Sequence, residues 1–254
     1  MKKRNFAKLL CVLLMPILLL SCSMVPPHQA PPDITEAETA PPIERKPLGK
    51  NIVCAGDDMT FGSTPTLFSY PILLQKYLGD DYTVTNCSGI HFGYIGKDQY
   101  KTYKNTGEFL FGMSQNPDTV IILLGTYDIG RYGIYFWDKN KDQFESAVRE
   151  LVGLYQALET DPGIYLCSPP CRYDDPSYNS ILKNEMIPIL QKVAEDMGCV
   201  YLDLYTPTEG KPELYMDCFN LNLSTEGEVF LARTIHDYII QDIPAEQTAA
   251  GADA

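Results

Sequence analysis

Residues 51–62 read NIVCAGDDMTFG, and this stretch carries the strongest signal for the fold. The apolar run at its start predicts a short strand, and Gly56 marks a tight turn directly after it. Two adjacent aspartates, Asp57 and Asp58, stand just past this turn. Ligands of parallel sheets bind beyond the carboxyl ends of the strands, so these two carboxyl groups are the first candidates for a functional site.

Further apolar runs of strand length follow, separated by longer segments with helical spacing. We predict strands at 51–55, 82–87, 119–124, 163–168 and 199–204. The run DTVIILLG, which ends at Gly125, is apolar on both faces, as a central parallel strand must be. This alternation predicts an α/β fold in which helical, right-handed crossovers join parallel strands.

Two helical segments carry features that make specific predictions. Apolar residues recur at helical spacing between 144 and 158 and between 181 and 193, and Pro188 predicts a kink in the second segment. A last helix is predicted to begin near residue 224, where Thr225 and Glu228 have the spacing of a capping box.

Aromatic residues are dense in and beside the loops that follow the predicted strands. They are Phe61, Phe92, Tyr94, Tyr127, Tyr132, Tyr135, Phe136, Trp137 and Tyr173. Aromatic faces stack on sugar rings and carboxylates accept hydrogen bonds from hydroxyl groups, so the crevice is suited to a glycan or another small ligand. For any single ring, packing in the core or in a lid is the simpler interpretation.

These loops resemble those of the SGNH, or GDSL, hydrolase family. IVCAGDDMTFG is similar to its first block, usually GDS followed by a short turn and glycine, and PDTVIILLGTYD is similar to its third. The likeness extends through IYLCSPP and EGKPELYMD and so covers nearly the whole domain. It implies a three-layer α/β/α, flavodoxin-like fold with a five-stranded parallel sheet.

The same resemblance implies that the catalytic positions have changed. Asp58 stands at the position of the nucleophilic serine. The glycine whose N–H group helps hold the oxyanion falls at Ser88 or at Gly89. In the third block, GTYD in place of GxND, Gly125 and Asp128 are kept, and Tyr127 replaces the oxyanion asparagine.

The last block of the family reads DxxH, and the matching DCFNLNLSTEG contains no histidine. It keeps Asp217 and offers Asn220 or Asn222 at the histidine position. His91 is the one histidine in a predicted crevice loop, either as a wall residue or as a relocated base.

Ester hydrolysis needs a hydroxyl nucleophile, a base and oxyanion donors. Loss of a triad serine or histidine costs on the order of 10⁶ in turnover. We therefore expect a catalytically impaired protein that binds a carbohydrate or other small ligand in the former esterase crevice. The alternatives are an active esterase or deacetylase whose serine is misaligned, and a glycan hydrolase that uses Asp58 and Asp217 as a carboxylate pair.

The crowded carboxyl groups of Asp57, Asp58, Asp128 and Asp217 leave several arrangements open. The pKa of at least one member should rise unless a cation or a basic ligand compensates. The cluster of carboxyl groups has three possible arrangements: two of its members share a proton, it binds a hard cation such as Ca²⁺, or it recognises a cationic or hydroxyl-rich ligand. In the simplest alternative, Asp58 merely caps the following helix. We assign no metal site and expect no cofactor.

The N-terminus predicts export. Residues 1–21 have a basic start and a short apolar run, which is typical of a secretory signal, and LLLSC resembles a lipobox with Cys22 as the acylated residue. An ordinary cleaved signal is the alternative. Residues 22–49 are a Pro-rich tether, 50–242 the folded domain and 243–254 a disordered tail. The protein is thus expected on a bacterial envelope or surface, in contact with the membrane through its lipid alone.

Charge and cysteine content limit the partners and the covalent cross-links. A net charge of -13 argues against binding to nucleic acid or to anionic membrane surfaces. Cys54, Cys87, Cys167 and Cys199 lie in or beside strand-like runs and are expected to be buried thiols. Cys171 and Cys218 lie in predicted loops, where a disulfide is compatible with export.

Overall fold

A computed structural model describes residues 45–62, 68–96, 98, 101–129, 134–172, 175–216 and 222–244. Several predictions of function fall outside these residues. They concern the signal and most of the tether with Cys22, the aromatic residues Tyr132 and Tyr173, and Asp217, Cys218 and Asn220 of the last block.

The predicted sheet is confirmed, with five parallel strands in the order β2-β1-β3-β4-β5. The strands are β1 Asn51–Gly56, β2 Thr83–Ser88, β3 Thr119–Leu123, β4 Gly163–Cys167 and β5 Val200–Leu202. β5 ends earlier than predicted because Asp203 leaves the strand and its Oδ1 accepts the N–H groups of Tyr205 and Thr206.

Helices cover the connections between these strands. They are α1 Asp58–Phe61, α2 Tyr70–Leu78, α3 Gly107–Ser114, α4 Thr126–Ile129, α5 Ile134–Asn140, α6 Phe144–Gln156, α7 Pro176–Ile181, α8 Ile187–Met197, α9 Tyr205–Thr208 and α10 Thr225–Ile239. Short 3-10 turns lie at Tyr103–Asn105, Lys141–Gln143, Pro212–Leu214 and Ile240–Asp242.

Two hydrophobic clusters cover the two faces of the sheet. Val53 and Ile122 point to one face, where α3, α6 and α8 pack, and Ile52 and Leu123 point to the other, where α2 and α10 pack. Successive residues of a strand alternate between faces, which is why both faces of β1 and β3 are apolar. The predicted three-layer α/β/α architecture is confirmed.

The predicted kink at Pro188 takes the form of a wider turn in the helix. A π-helical segment, Leu182–Met186, joins α7 to α8 directly before the proline. Proline has no N–H to donate, and its ring clashes with the carbonyl four residues earlier. The π turn relieves this conflict, so the chain continues from α7 into α8.

The last helix is capped by a residue next to the predicted one. Ser224, not Thr225, is the N-cap, and its hydroxyl accepts the N–H of Gly227 at 3.1 Å. The Glu228 side chain does not close a capping box. It is buried, and its Oε2 accepts the N–H of Tyr70, the first residue of α2, at 2.8 Å.

The folded domain begins earlier than predicted. The Leu48 side chain is buried, and its N–H donates to the carbonyl of Asp242 at 2.7 Å. Arg45 donates to the Asp242 carboxylate and to the hydroxyl of Tyr238. Residues 45–49, predicted as tether, thus pack on the domain because an apolar side chain and an ion pair hold them there. Ile243, predicted as tail, also packs against the core.

The cysteines of the described part of the chain are free and buried, namely Cys54, Cys87, Cys167, Cys171 and Cys199. The predicted burial of the four strand-associated thiols is confirmed, and Cys171, predicted in a loop, is a thiol packed in the core. Among the described residues, no helix has the length and apolar character that crossing a bilayer requires.

Candidate active site

The strand order brings the first and third sequence blocks together. β1 and β3 are neighbours in the sheet, and Gly56 pairs with Leu123 at their carboxyl ends. Asp57 and Asp58 follow β1, and Tyr127 and Asp128 lie in α4, directly after β3. In this strand order the connections after β1 and after β3 run to opposite sides of the sheet. In such folds ligands bind in the crevice at this switch point, beyond the carboxyl ends of β1 and β3.

Asp57 is the residue that caps α1. Its Oδ1 accepts the N–H of Met59 at 3.0 Å, and its side chain is fully buried. The interpretation that Asp58 merely caps the helix is therefore wrong. Gly56 is required at this turn because a Cβ there would collide with the Thr60 side chain of the returning helix. Thr60 itself is fully buried and offers no exposed nucleophile.

The Asp58 carboxyl group, only 9% exposed, is held by two donors from different segments. The Tyr127 hydroxyl donates to Oδ1 at 3.0 Å, and the main-chain N–H of His91 donates to Oδ2 at 2.5 Å. Both oxygens of the group at the nucleophile position are thus engaged by the protein.

His91 contributes to this site through its backbone as well as its ring. Its φ of 67° is in the left-handed region, which disfavours side chains and is most easily adopted by glycine. The imidazole is half-buried and lies against the Tyr127 ring, with centroids 5.1 Å apart. The prediction considered the imidazole alone and missed the N–H group, because a main-chain donor leaves no residue signature.

Gly89, one of the two residues predicted to supply the oxyanion N–H, has another partner for that group. The Gly89 N–H donates to the carbonyl of Gly56 at 3.2 Å, which extends the β1–β2 pairing. The Ser88 hydroxyl donates to the Asn86 side chain. The N–H that reaches residue 58 belongs to His91, two residues further along the loop.

Asp128 has a structural role beneath the crevice. Its carboxyl group is fully buried and accepts the N–H groups of Tyr94, Ile95 and Gly96 at 2.8, 3.0 and 3.3 Å. Gly93 lies so close that a Cβ there would be 2.6 Å from Asp128 Oδ1. Asp128 therefore holds the loop after β2 in place and is not available to a ligand.

Gly125 and Asn222 are the remaining predicted binding residues that the structure describes. Gly125 adopts a φ of 116° at the turn after β3, and a Cβ on it would approach the sulfur of Met186 to 2.9 Å. Asn222 accepts the N–H of Met216 at 3.2 Å through its carbonyl, next to the antiparallel bridge between Tyr215 and Leu223.

Four of the seven described rings of the predicted aromatic set are buried. Phe92, Tyr94 and Trp137 belong to the cluster under α3 and α6, and Tyr127 is also buried. For these four rings the simpler interpretation, packing in the core, is confirmed. Tyr135, in contrast, is 78% exposed, and Phe61 and Phe136 are half-buried.

All three described aspartates of the cluster have raised pKa values. Burial raises the pKa of Asp57 well above its ordinary value, and the charge of Asp58 adds to the rise. Burial also raises the pKa of Asp58, opposed by the donors on His91 and Tyr127, and that of Asp128, opposed by its three N–H donors. The pKa values move in the predicted direction, but burial is the main cause, and repulsion from like charges contributes only at Asp57.

The described residues contain no cluster of three or more His, Cys, Asp or Glu side chains placed to hold a metal ion. The geometry of Asp58 and Asp128 agrees with this, since their oxygens accept hydrogen bonds from the protein itself.

Comparison with known proteins identifies the fold and the family. An acetylxylan esterase of Xylanibacter ruminicola is 28% identical over 173 residues, which are 61% of this chain and 36% of that enzyme. The chain therefore matches well under half of that relative's length.

Two solved structures illustrate the similarity of fold. The acetyl xylan esterase AlAXEase has a TM-score of 0.59 at 20% identity, covering 75% of this chain and all of that one. The acetylxylan esterase of Geobacillus stearothermophilus has a TM-score of 0.57 at 21% identity, covering 80% of this chain and all of the enzyme. Residues 52–235, most of the described domain, match the GDSL-like Lipase/Acylhydrolase family. The chain belongs to this family of SGNH hydrolases.

Proposed function

We propose that this protein is a lipid-anchored member of the GDSL family that binds a carbohydrate in its crevice and does not hydrolyse esters. The observation that carries the proposal is the Asp58 carboxyl group at the nucleophile position, with Tyr127 and His91 donating to its two oxygens.

The chemistry of Asp58 supports the loss of hydrolysis. A carboxylate has no hydroxyl proton to pass to a base, and it is a weak nucleophile towards an ester. Its two hydrogen-bond donors are already engaged by Asp58 in the resting protein, so they add little to the stabilisation of an anion that forms only in a transition state. Removal of one oxyanion donor alone costs about 10² to 10³ in turnover.

A carbohydrate is the ligand class that the comparisons and the crevice favour. The relative from Xylanibacter ruminicola is an acetylxylan esterase, as are both structural neighbours described above. Beside Asp58 the half-buried imidazole of His91, which lies against the Tyr127 ring, offers a polar group that suits sugar hydroxyl groups. The net charge of -13 favours a neutral or cationic ligand.

The activity assay is direct. The full chain is incubated with p-nitrophenyl acetate and with acetylated xylo-oligosaccharides, and release of nitrophenol and acetate is compared with buffer. We expect no release above buffer, together with binding of unsubstituted xylo-oligosaccharides in calorimetry. Turnover that disappears in Asp58→Ala would contradict the proposal.

An active esterase or deacetylase is the second candidate, and the observation that favours it is the identity to an acetylxylan esterase over 173 residues. It predicts acetate release from acetylated xylan that survives Asp58→Ala, because a hydroxyl elsewhere in the chain would be the nucleophile. A carboxylate-pair hydrolase using Asp58 and Asp217 predicts instead that Asp58→Asn and Asp217→Asn each abolish glycan cleavage.

The lipid anchor is tested separately. The full chain expressed in a bacterium should incorporate labelled palmitate and partition into detergent, and Cys22→Ala should do neither. Unchanged partitioning of the Cys22→Ala protein would favour an ordinary cleaved signal.

A further inference from the structure

The contacts of Asp58 define a small anion-binding subsite inside the crevice. One donor is the phenol of Tyr127, from the helix that follows β3, and the other is the main-chain N–H of His91, from the loop that follows β2. They converge on one carboxyl group, 3.0 and 2.5 Å from its two oxygens. Two convergent donors of this kind bind carboxylates and polarise acyl carbonyl groups.

Rigid parts of the fold hold both donors. The loop that carries His91 is fixed three residues later, where Asp128 accepts the N–H groups of Tyr94, Ile95 and Gly96. Tyr127 is 4% exposed and packs in the core cluster with α2 and α10. The subsite is therefore pre-formed and does not depend on Asp58 to assemble it.

We propose that Asp58 keeps this acyl- and carboxylate-binding subsite filled, and that it thereby restricts the crevice to ligands without an acyl or carboxylate group at that point. The part concerning glycans rests on the proposed function, whereas the filled subsite rests on the contacts alone. An incoming carboxylate would have to displace the Asp58 carboxyl group from both donors. An acyl carbonyl would find both donors engaged.

Acetate is the probe that tests the filled subsite without a glycan. Titration of the full chain with sodium [¹³C]acetate, followed by NMR line broadening, should show no saturable binding to the wild type. Asp58→Ala empties the subsite and should bind acetate at least about tenfold more tightly, as expected for a charge-assisted hydrogen bond gained.

Two variants separate an emptied subsite from general loosening of the domain. Asp58→Asn has nearly the volume of the wild-type side chain, still fills the subsite and should remain without acetate binding. Adding Tyr127→Phe to Asp58→Ala removes one donor and should cancel about tenfold of the gain. Circular dichroism and thermal midpoints verify that each variant is folded.

The proposal is overturned if folded Asp58→Ala binds acetate no better than wild type, or if the gain is unchanged by Tyr127→Phe. A second titration compares xylohexaose with its acetylated form. Wild type should prefer the unsubstituted sugar, and Asp58→Ala should reduce that preference at least about threefold. If neither sugar binds any variant while acetate behaves as expected, the carbohydrate proposal fails and the filled subsite stands.

Discussion

Asp58 and Asp128 are both buried carboxyl groups at the carboxyl ends of neighbouring strands, yet their environments differ in kind. Asp128 accepts three consecutive main-chain N–H groups from one loop, whereas Asp58 accepts one N–H group and one phenol from two different segments. The first pattern organises the backbone. The second fills a place where a ligand group would otherwise bind. Burial alone therefore does not determine function, and the hydrogen-bond donors show which carboxyl group is structural.

The largest expected effect is that of Asp128→Ala. The change removes the acceptor of three buried N–H groups, so the free energy of unfolding should fall by about 3 kcal/mol or more. Urea denaturation measures it. Asp128→Asn is the matched control, since its amide keeps one acceptor oxygen, and it should lie between Ala and wild type. A loss below about 1 kcal/mol for Ala would contradict the structural role.

Asp58→Ala should lower the free energy of unfolding by less, about 1 kcal/mol or below, because the removal of a buried acid offsets the loss of its hydrogen bonds. The same urea experiment compares it with Asp128→Ala. If Asp58→Ala proves more destabilising than Asp128→Ala, the assignment of Asp128 as the structural carboxyl group is wrong.

Asp57→Asn tests the third aspartate through the pH dependence of stability. Burial raises the pKa of Asp57 in the folded protein above the unfolded value of about 3.9. Between these two values the folded state holds a proton that the unfolded state has lost, so wild-type stability falls as pH rises. Asn keeps the helix cap and does not titrate.

The free energy of unfolding of Asp57→Asn, relative to that of the wild type, should therefore increase from about pH 4 to about pH 8. This range begins near the pKa of an unfolded aspartate and ends near neutrality. Asp57→Ala is the control. It loses the cap and should be about 1 kcal/mol less stable than Asn at every pH. A difference curve between Asn and wild type that is flat or falls with pH would show that Asp57 is ionised in the folded state.

A last effect, also about 1 kcal/mol, concerns the backbone segment that presents the His91 N–H. At a φ of 67°, His91→Gly should be about 1 kcal/mol more stable than His91→Ala, because only the alanine retains a Cβ in the left-handed region. Thermal denaturation compares the two variants, neither of which has the imidazole. Equal midpoints would mean that the loop relaxes and that the donor is not rigidly held.

Much of the fold was predictable because parallel strands buried on both faces leave long apolar runs, such as 119–124. The meeting of Asp58 and Tyr127 was predictable for a related reason, since both follow neighbouring strands. The role of Asp57 as cap was not, because adjacent aspartates have the same capping chemistry and only the register of one residue separates them. The main-chain N–H of His91 could not be predicted as a donor from the sequence, because every residue except proline has such a group.

The Glu228 contact shows a further limit of local patterns. Its spacing from Thr225 predicted a cap on its own helix, and its side chain instead reaches α2. Capping-box spacing describes a short-range exchange, and it contains no information about a helix 158 residues away in sequence. Burial of Glu228 against the neighbouring helix decided the outcome.

This long-range contact has a consequence for synthesis on the ribosome. The Tyr70 N–H, at the start of α2, finds its acceptor on α10, the last α-helix of the described chain. A nascent chain that still lacks α10 leaves this helix start without its native acceptor, and leaves apolar residues of α2 without the surface that covers them. That layer of the domain is therefore completed only after α10 has left the exit tunnel, and the layer formed by α3, α6 and α8 can be in place earlier.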